Sequence, residues 1–245
     1  MADTIKTESV TYSAGATTLR GALAIDTTRT GKRPGVIVVH EWWGLNDYIR
    51  RRAHMLAELG YTALGADMYG DGKTGNDPAE AGALMNAVVA DRSAVEQRFR
   101  AAYDFLRTQP SVDPDRIAAI GYCFGGAVVL HAARTGLPLR GVVSFHGALG
   151  SFHKPAPGSV KAKILVCHGA ADSLVPGSDV EAFKAEMDAA KADYRFVAYP
   201  GAKHGFTNPD ADATSKKFSF PIGYDAEADR RSWQDMTEFL ARVLA

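Results

Sequence analysis

Six short apolar runs, each closed by polar or glycine-bearing residues, constrain the fold of this chain more than any other feature. They occupy residues 36–39, 61–64, 117–120, 141–145, 164–167 and 194–199. Runs this short and continuous suit strands buried on both faces. Between them lie segments with helical spacing. Residues 47–59 place Ile49, Ala53, Leu56 and Ala57 on one face, and residues 92–106 do the same with Val95, Phe99, Ala102 and Leu106. Residues 127–133 are small and apolar, as a helix packed close to a sheet should be, and 180–190 and 226–244 complete the set. Alternating strand and helix predicts an α/β fold: a mostly parallel central sheet with helices on both faces and right-handed crossovers. Residues 9–26 alternate around a glycine turn and predict an antiparallel hairpin at the sheet edge. The stretches near 71–78, 150–160 and 207–224 are rich in Gly, Pro, Ser and Asp and read as surface connections. A single domain over residues 1–245 is expected.

Composition removes several function classes. Lys plus Arg and Asp plus Glu both number 28, which argues against a basic nucleic-acid-binding surface. No stretch approaches the ~18 apolar residues of a membrane span. The opening "MADTIKTESV" lacks the apolar core of a secretory leader. The two cysteines, Cys123 and Cys167, show neither metal-ligand nor CxxC spacing. They read as reduced thiols of a cytoplasmic protein.

In open α/β sheets ligands bind beyond the carboxyl ends of the strands. Reactive polar residues gather there. His40, Glu41, Trp42 and Trp43 follow the first core run, and Asp67, Tyr69 and Asp71 the second. Cys123 follows the third, His146 the fourth, His168 and Asp172 the fifth, and His204 the sixth.

The third of these stands out. In "GYCFGG" a thiol is framed by Gly121 and Gly125 directly after a strand. This is the pattern of a nucleophile on a sharp strand-to-helix turn, where glycines relieve crowding and Gly126 lets the helix approach the sheet. A thiol nucleophile needs a base, a group to orient that base, and donors for the developing oxyanion. The order Cys123, Asp172, His204 is the nucleophile–acid–histidine order of α/β-hydrolases. The backbone N–H of Phe124 and one from the loop at Trp42 are the candidate oxyanion donors. Trp42, Trp43, Phe124, Tyr69, His146 and Phe206 are candidate cleft-lining residues, mostly aromatic as such pockets are. Each has a plainer reading. Asp172 can cap a helix near Pro176, His204 can be a locally bonded loop histidine, and His40, His146 and His168 can tie loops together. A zinc site built from these histidines lacks the usual ligand spacing, and neither metal nor cofactor is expected.

The segments "HEWWGLN", "GYCFGGA", "HGAADSLVP" and "YPGAKHGFTNP", in this order and spacing, resemble the dienelactone hydrolase (carboxymethylenebutenolidase-like) family across essentially the whole chain. The resemblance implies an α/β-hydrolase fold without a large cap domain, since only about sixteen residues, 147–162, join the fourth and fifth core runs. It implies hydrolysis of a lactone or activated carboxylic ester through a Cys123–His204–Asp172 triad, and it makes Glu41 an auxiliary group that helps activate the thiol. Two arginines of the family's type enzyme hold a substrate carboxylate. Asp71 and Asn208 stand at the matching positions here, with Lys73 or Arg92 as substitutes. The implied partner is therefore a small-molecule ester or lactone, and the expected assembly is a monomer or homodimer. A thiol-dependent acyltransferase or peptidase, a ligand-binding protein of the same fold with little turnover, and a redox sensor using Cys123 and Cys167 are the rival readings.

Overall fold

The computed structural model describes residues 4–245. Residues 1–3, the head of the segment read above as carrying no leader, lie outside the described residues. The chain divides into two compact units, Met1–Ala119 and Ile120–Ala245.

In the first unit the expected hairpin is β1 (Ile5–Ala14) and β2 (Thr17–Asp26), paired from Ile5↔Asp26 to Ala14↔Thr17. Gly15 closes it at φ 57°, a left-handed conformation that costs glycine nothing. The hairpin adds to the core strands through β2, which runs antiparallel to β4 (Thr62–Ala66). β4 in turn lies parallel to β3 (Arg33–Val39). The order is β1-β2-β4-β3-β5, where β5 (Val112–Tyr122) runs through the boundary between the units. Val36, Ile37, Val38 and Val39 are wholly buried, each such side chain contributing roughly 1.5–3 kcal/mol.

Helix α1 (Asp47–Glu58) packs on β2 and β4, with Asn46 capping its first turn through a bond from the Ile49 amide. Helix α3 (Arg92–Arg107), capped by Asp91, packs on β1, β3 and β4. Its buried face contains the four apolar residues that the spacing picks out, together with Tyr103. Helix α2 (Pro78–Val89) has no counterpart among the expected elements. It starts on Asp77 and Pro78 but buries only Ala81 and Val88, so its sequence carries little periodic signal.

In the second unit the order is β5-β6-β7-β8, with β6 (Gly141–Phe145), β7 (Lys163–Gly169) and β8 (Tyr194–Tyr199) mutually parallel. Helix α4 (Phe124–Arg134) follows β5 without a loop and packs on β6. Helices α5 (Gly177–Ala189) and α7 (Ala226–Val243) match the expected segments to within a turn. Residues 207–224 are not the plain connection expected: they contain α6 (Ala211–Phe218), which ends on Ser219 in the left-handed region. Two turns of mostly polar residues with one buried side chain, Ala211, look like a loop to any periodicity test. Buried Arg134 joins α4 to α5: its guanidinium holds Glu186 at 2.7 and 3.0 Å, donates to the Leu149 carbonyl and lies over Phe183.

The junction of β5 and α4 is the tightest point of this unit. A Cβ on Gly121 would collide with the carbonyl oxygen of Gly125 and lie 2.8 Å from the amide nitrogen of Gly126. These are backbone atoms of the first helical turn and cannot move independently. Gly121→Ala is therefore expected to destabilise by about 3 kcal/mol or more. Gly82→Ala, in α2 where a Cβ would point into open space, should instead stabilise by up to ~1 kcal/mol. Urea denaturation of the two variants checks both signs.

Candidate active site

Cys123 occupies the single residue between β5 and α4, at φ 53° and ψ −115°. A non-glycine residue held there costs of order 1–3 kcal/mol, and such strain collects at functional sites. Backbone hydrogen bonds hold it, the Ala127 amide donating to its carbonyl at 3.3 Å among them. Its N–H donates to the Phe145 carbonyl at 3.0 Å, and its carbonyl accepts from the Gly126 amide at 3.0 Å. The side chain is partly exposed, whereas Cys167 is fully buried. Burial pushes the Cys167 thiol up to about 12, so of the two sulfurs only that of Cys123 is suited to attack. Both cysteines are free thiols.

His204 and Asp172 come from the loops that follow β8 and β7. The loops meet through their backbones. The Ala171 amide donates to the Ala202 carbonyl at 2.9 Å. A Cβ on Gly169 would lie 2.5 Å from that same carbonyl oxygen, so only glycine allows the approach. Asp172 is thereby set beside the imidazole. Its Oδ2 bonds His204 Nδ1 at 2.8 Å, and its Oδ1 accepts from the Leu174 amide at 2.9 Å. The carboxylate does not cap α5, whose N-cap is Pro176. His204 is also hydrogen-bonded to Cys123.

Burial works against a charge on His204. The charge of a Cys123 thiolate, the Asp172 hydrogen bond, the Cys123 hydrogen bond and the Asp172 charge together outweigh it, raising the imidazole from 6.5 to about 10. Protonated His204 is the state this favours. A folded-state value above the unfolded one means that the contribution of protonated His204 to stability is complete below pH 6.5 and is lost as pH rises toward 10. The urea midpoint of the wild type should exceed that of His204→Gln most at about pH 6–6.5. The gap should narrow steadily up to about pH 10.

The other residues singled out in this unit are placed as follows. Phe124 is the first residue of α4, so its amide lies at the positive end of the helix. His146, fully buried at φ 40°, bonds Thr207 Oγ1 through Nε2 at 2.7 Å. Its ring packs edge-on against His204 and against Phe206, which is itself buried. The Asn208 side chain accepts from the Asp210 amide at 3.0 Å, closing the turn into α6. Thr207 carries no signal in the sequence that would have marked it.

In the first unit the residues after β3 and β4 form a cluster of their own. Met68 N–H donates to His40 Nε2, so the proton sits on Nδ1 and is donated to the Glu41 carbonyl. Burial brings His40 down to about 4, which makes it a neutral structural histidine. Glu41 is buried, and the Trp42 and Trp43 rings are 4.9 Å apart. The Tyr69 hydroxyl donates to the Trp42 carbonyl at 2.8 Å. Asp67 accepts from the amides of Arg20, Tyr69, Gly70 and Gly72, which fixes the loop carrying Tyr69. The Asp71 side chain is exposed at φ 54°, with Lys73 Nζ 3.9 Å away. Among the described residues no group of three or more His, Cys, Asp or Glu is placed to hold a metal, and no helix is long and apolar enough to cross a membrane.

A mostly parallel sheet with helices and a thiol raised on the turn between strand and helix define the class: an α/β hydrolase. An α/β hydrolase from a deep-sea metagenome library superposes with a TM-score of 0.69 over 97% of this chain and 98% of its own, at 18% identity, a likeness in fold alone. The family is more specific. The dienelactone hydrolase family profile matches residues 19–244, and the chain belongs to that family of hydrolases. A dienelactone hydrolase-like promiscuous phosphotriesterase from metagenomic libraries is 38% identical over 99% of this chain and 100% of its own, with a TM-score of 0.90. A Synechocystis protein provisionally named a carboxymethylenebutenolidase is 28% identical over 98% of both chains.

Proposed function

We propose that this protein hydrolyses lactones or activated carboxylic esters through Cys123, with a thioester acyl-enzyme as intermediate. One observation carries the reading: a partly exposed thiol on a strained elbow, hydrogen-bonded to a histidine that a buried carboxylate orients. The Cys123 thiolate attacks the acyl carbon, forming a C–S bond. The N–H of Phe124 receives the oxyanion, such a donor typically lowering the barrier by about 2.7–4 kcal/mol. As the tetrahedral adduct collapses, the C–O bond breaks and the leaving alkoxide takes the proton of the His204 imidazolium.

The second half follows from the same electrostatics. Acylation removes the thiolate charge and the thiol hydrogen bond, two of the influences that hold a proton on His204. The imidazole is then less basic and no longer cationic, and it is free to accept a proton from water. Water attacks the thioester, its proton passes to His204, and the C–S bond breaks to return the ion pair. Asp172 keeps the Nδ1–H directed at itself, so that Nε2 serves the reaction.

The substrate is an uncharged ester or lactone. Asn208 uses its carbonyl oxygen on a backbone amide, and Asp71 adds an anion where a carboxylate clamp would need a cation. A second reading, phosphotriester hydrolysis through an S-phosphoryl cysteine, is favoured by the same ion pair and by the activity named for the 38%-identical relative. A screen of a neutral lactone, its carboxylate-bearing analogue, a p-nitrophenyl ester and a p-nitrophenyl phosphotriester tests both. Turnover of the neutral lactone and the carboxylic ester is expected. A faster rate on the carboxylate-bearing analogue overturns the assignment of substrate charge. Selective labelling of Cys123 with no turnover of any substrate favours the binding-protein reading instead.

A further inference from the structure

The last residue of β6 and the one after it touch all three carriers of the triad. The Phe145 carbonyl accepts the N–H of Cys123 at 3.0 Å, fixing the elbow. The His146 N–H donates to the Cys167 carbonyl at 2.8 Å, on the strand that leads to Asp172. The His146 ring lies 5.1 Å from the His204 ring at 62°, an edge-on contact, and 5.3 Å from that of Phe206 at 78°. His146 Nε2 is bonded to Thr207 Oγ1, three residues beyond His204, at 2.7 Å. Both His146 and Thr207 are wholly buried, and His146 holds φ 40° to reach this position. A residue that merely fills the core needs neither a polar ring there nor a left-handed backbone.

We infer that His146 is a positioning residue for the catalytic histidine: bonded to Thr207, it is a buried strut that fixes the loop and ring plane of His204. The inference rests on the reading of Cys123, His204 and Asp172 as the triad. Its physical content is directional. The imidazole of His204 is held at Nδ1 by one hydrogen bond to Asp172, about which the ring can still pivot. The edge of His146 limits that pivot from the side, and the Thr207 bond prevents the loop from drifting. Deacylation depends on this most, because there His204 must aim at a water instead of at a bonded thiolate. Misplacement by about 1 Å can cost on the order of 10²-fold.

The test compares His146→Leu, His146→Gln and Thr207→Val with the wild type. Leucine removes both the ring edge and the bond. Glutamine presents a polar atom at about the reach of Nε2 and should restore the bond. Valine removes only the Thr207 hydroxyl. The first readout is the low-field proton NMR signal of His204 Nδ1–H, assigned by its loss in His204→Gln. It should move upfield and exchange faster in the leucine and valine variants, and recover in the glutamine variant. The second is kcat per active site, counted from the burst of a p-nitrophenyl ester. A fall of about 10–100-fold is expected in His146→Leu and a smaller one in Thr207→Val, with KM within about twofold and acyl-enzyme accumulating.

An unchanged signal together with an unchanged per-site kcat in either folded variant overturns the inference. Should His146→Leu not fold, Thr207→Val decides it alone. If Cys123→Ala hydrolyses the ester as fast as the wild type, the triad reading fails on that ground, while the proton signal still decides whether His146 holds the His204 ring.

Discussion

Replacing Cys123 by alanine should lower ester hydrolysis by on the order of 10⁵–10⁶-fold, since the members of a catalytic triad act as a unit. Cys167 cannot substitute: it is wholly buried and its thiol is held neutral up to about 12. The fold should survive. The Cys123 side chain is partly exposed, alanine at φ 53° carries the same backbone strain, and the three backbone bonds at the elbow do not involve the sulfur. No buried cavity is created, so any loss of stability should be confined to the pH range in which protonated His204 contributes and should vanish toward pH 10. The variant also isolates the influence of the thiolate on His204. With the sulfur gone, the imidazole should titrate well below its wild-type value of about 10. Activity per folded molecule comparable with wild type, or an unshifted histidine titration by NMR, contradicts the mechanism.

Asp172→Asn should reduce kcat by on the order of 10⁴-fold, the loss seen when a catalytic histidine is forced into the wrong tautomer. An asparagine NH₂ placed 2.8 Å from His204 Nδ1 donates where the carboxylate accepted. The ring proton then moves to Nε2, the atom that must take a proton from water. The Oδ1 bond from the Leu174 amide is retained by the asparagine oxygen, so the loop keeps its shape. The two half-reactions should part company. Acylation by an activated ester continues slowly, and hydrolysis of the thioester nearly stops. Quenched samples weighed as intact protein should therefore carry one acyl group. A kcat within about tenfold of wild type, with no acyl adduct, removes Asp172 from the orienting role.

The parts that the sequence disclosed share a physical cause. Val36 to Val39 and the buried face of α3 are legible because burial on a fixed geometry imposes a fixed period. The elbow is legible because its crowding admits only glycine at 121, and a reactive residue between glycines is rare. The order of Cys123, Asp172 and His204 follows from which strands end at the same edge. What escaped lacks such a signature. Helices α2 and α6 bury one or two side chains each and so show no period. The Thr207 bond to His146 joins residues 61 apart, and nothing local to either marks it. The antiparallel union of β2 with β4 is set by tertiary contact, beyond the reach of a hairpin pattern. Asn208 illustrates the converse: its place in the order was visible, but its engagement with the Asp210 amide was not.

The approach of the strand-end loops at Gly169 and Ala202 is made by peptide groups, not by side chains. The acid and the base are therefore clamped by atoms that every sequence possesses. The contact tolerates no side chain at residue 169, and it asks nothing of the side chains at Ala171 and Ala202. Such a frame sets Asp172 beside His204 by backbone geometry, with one glycine as its requirement.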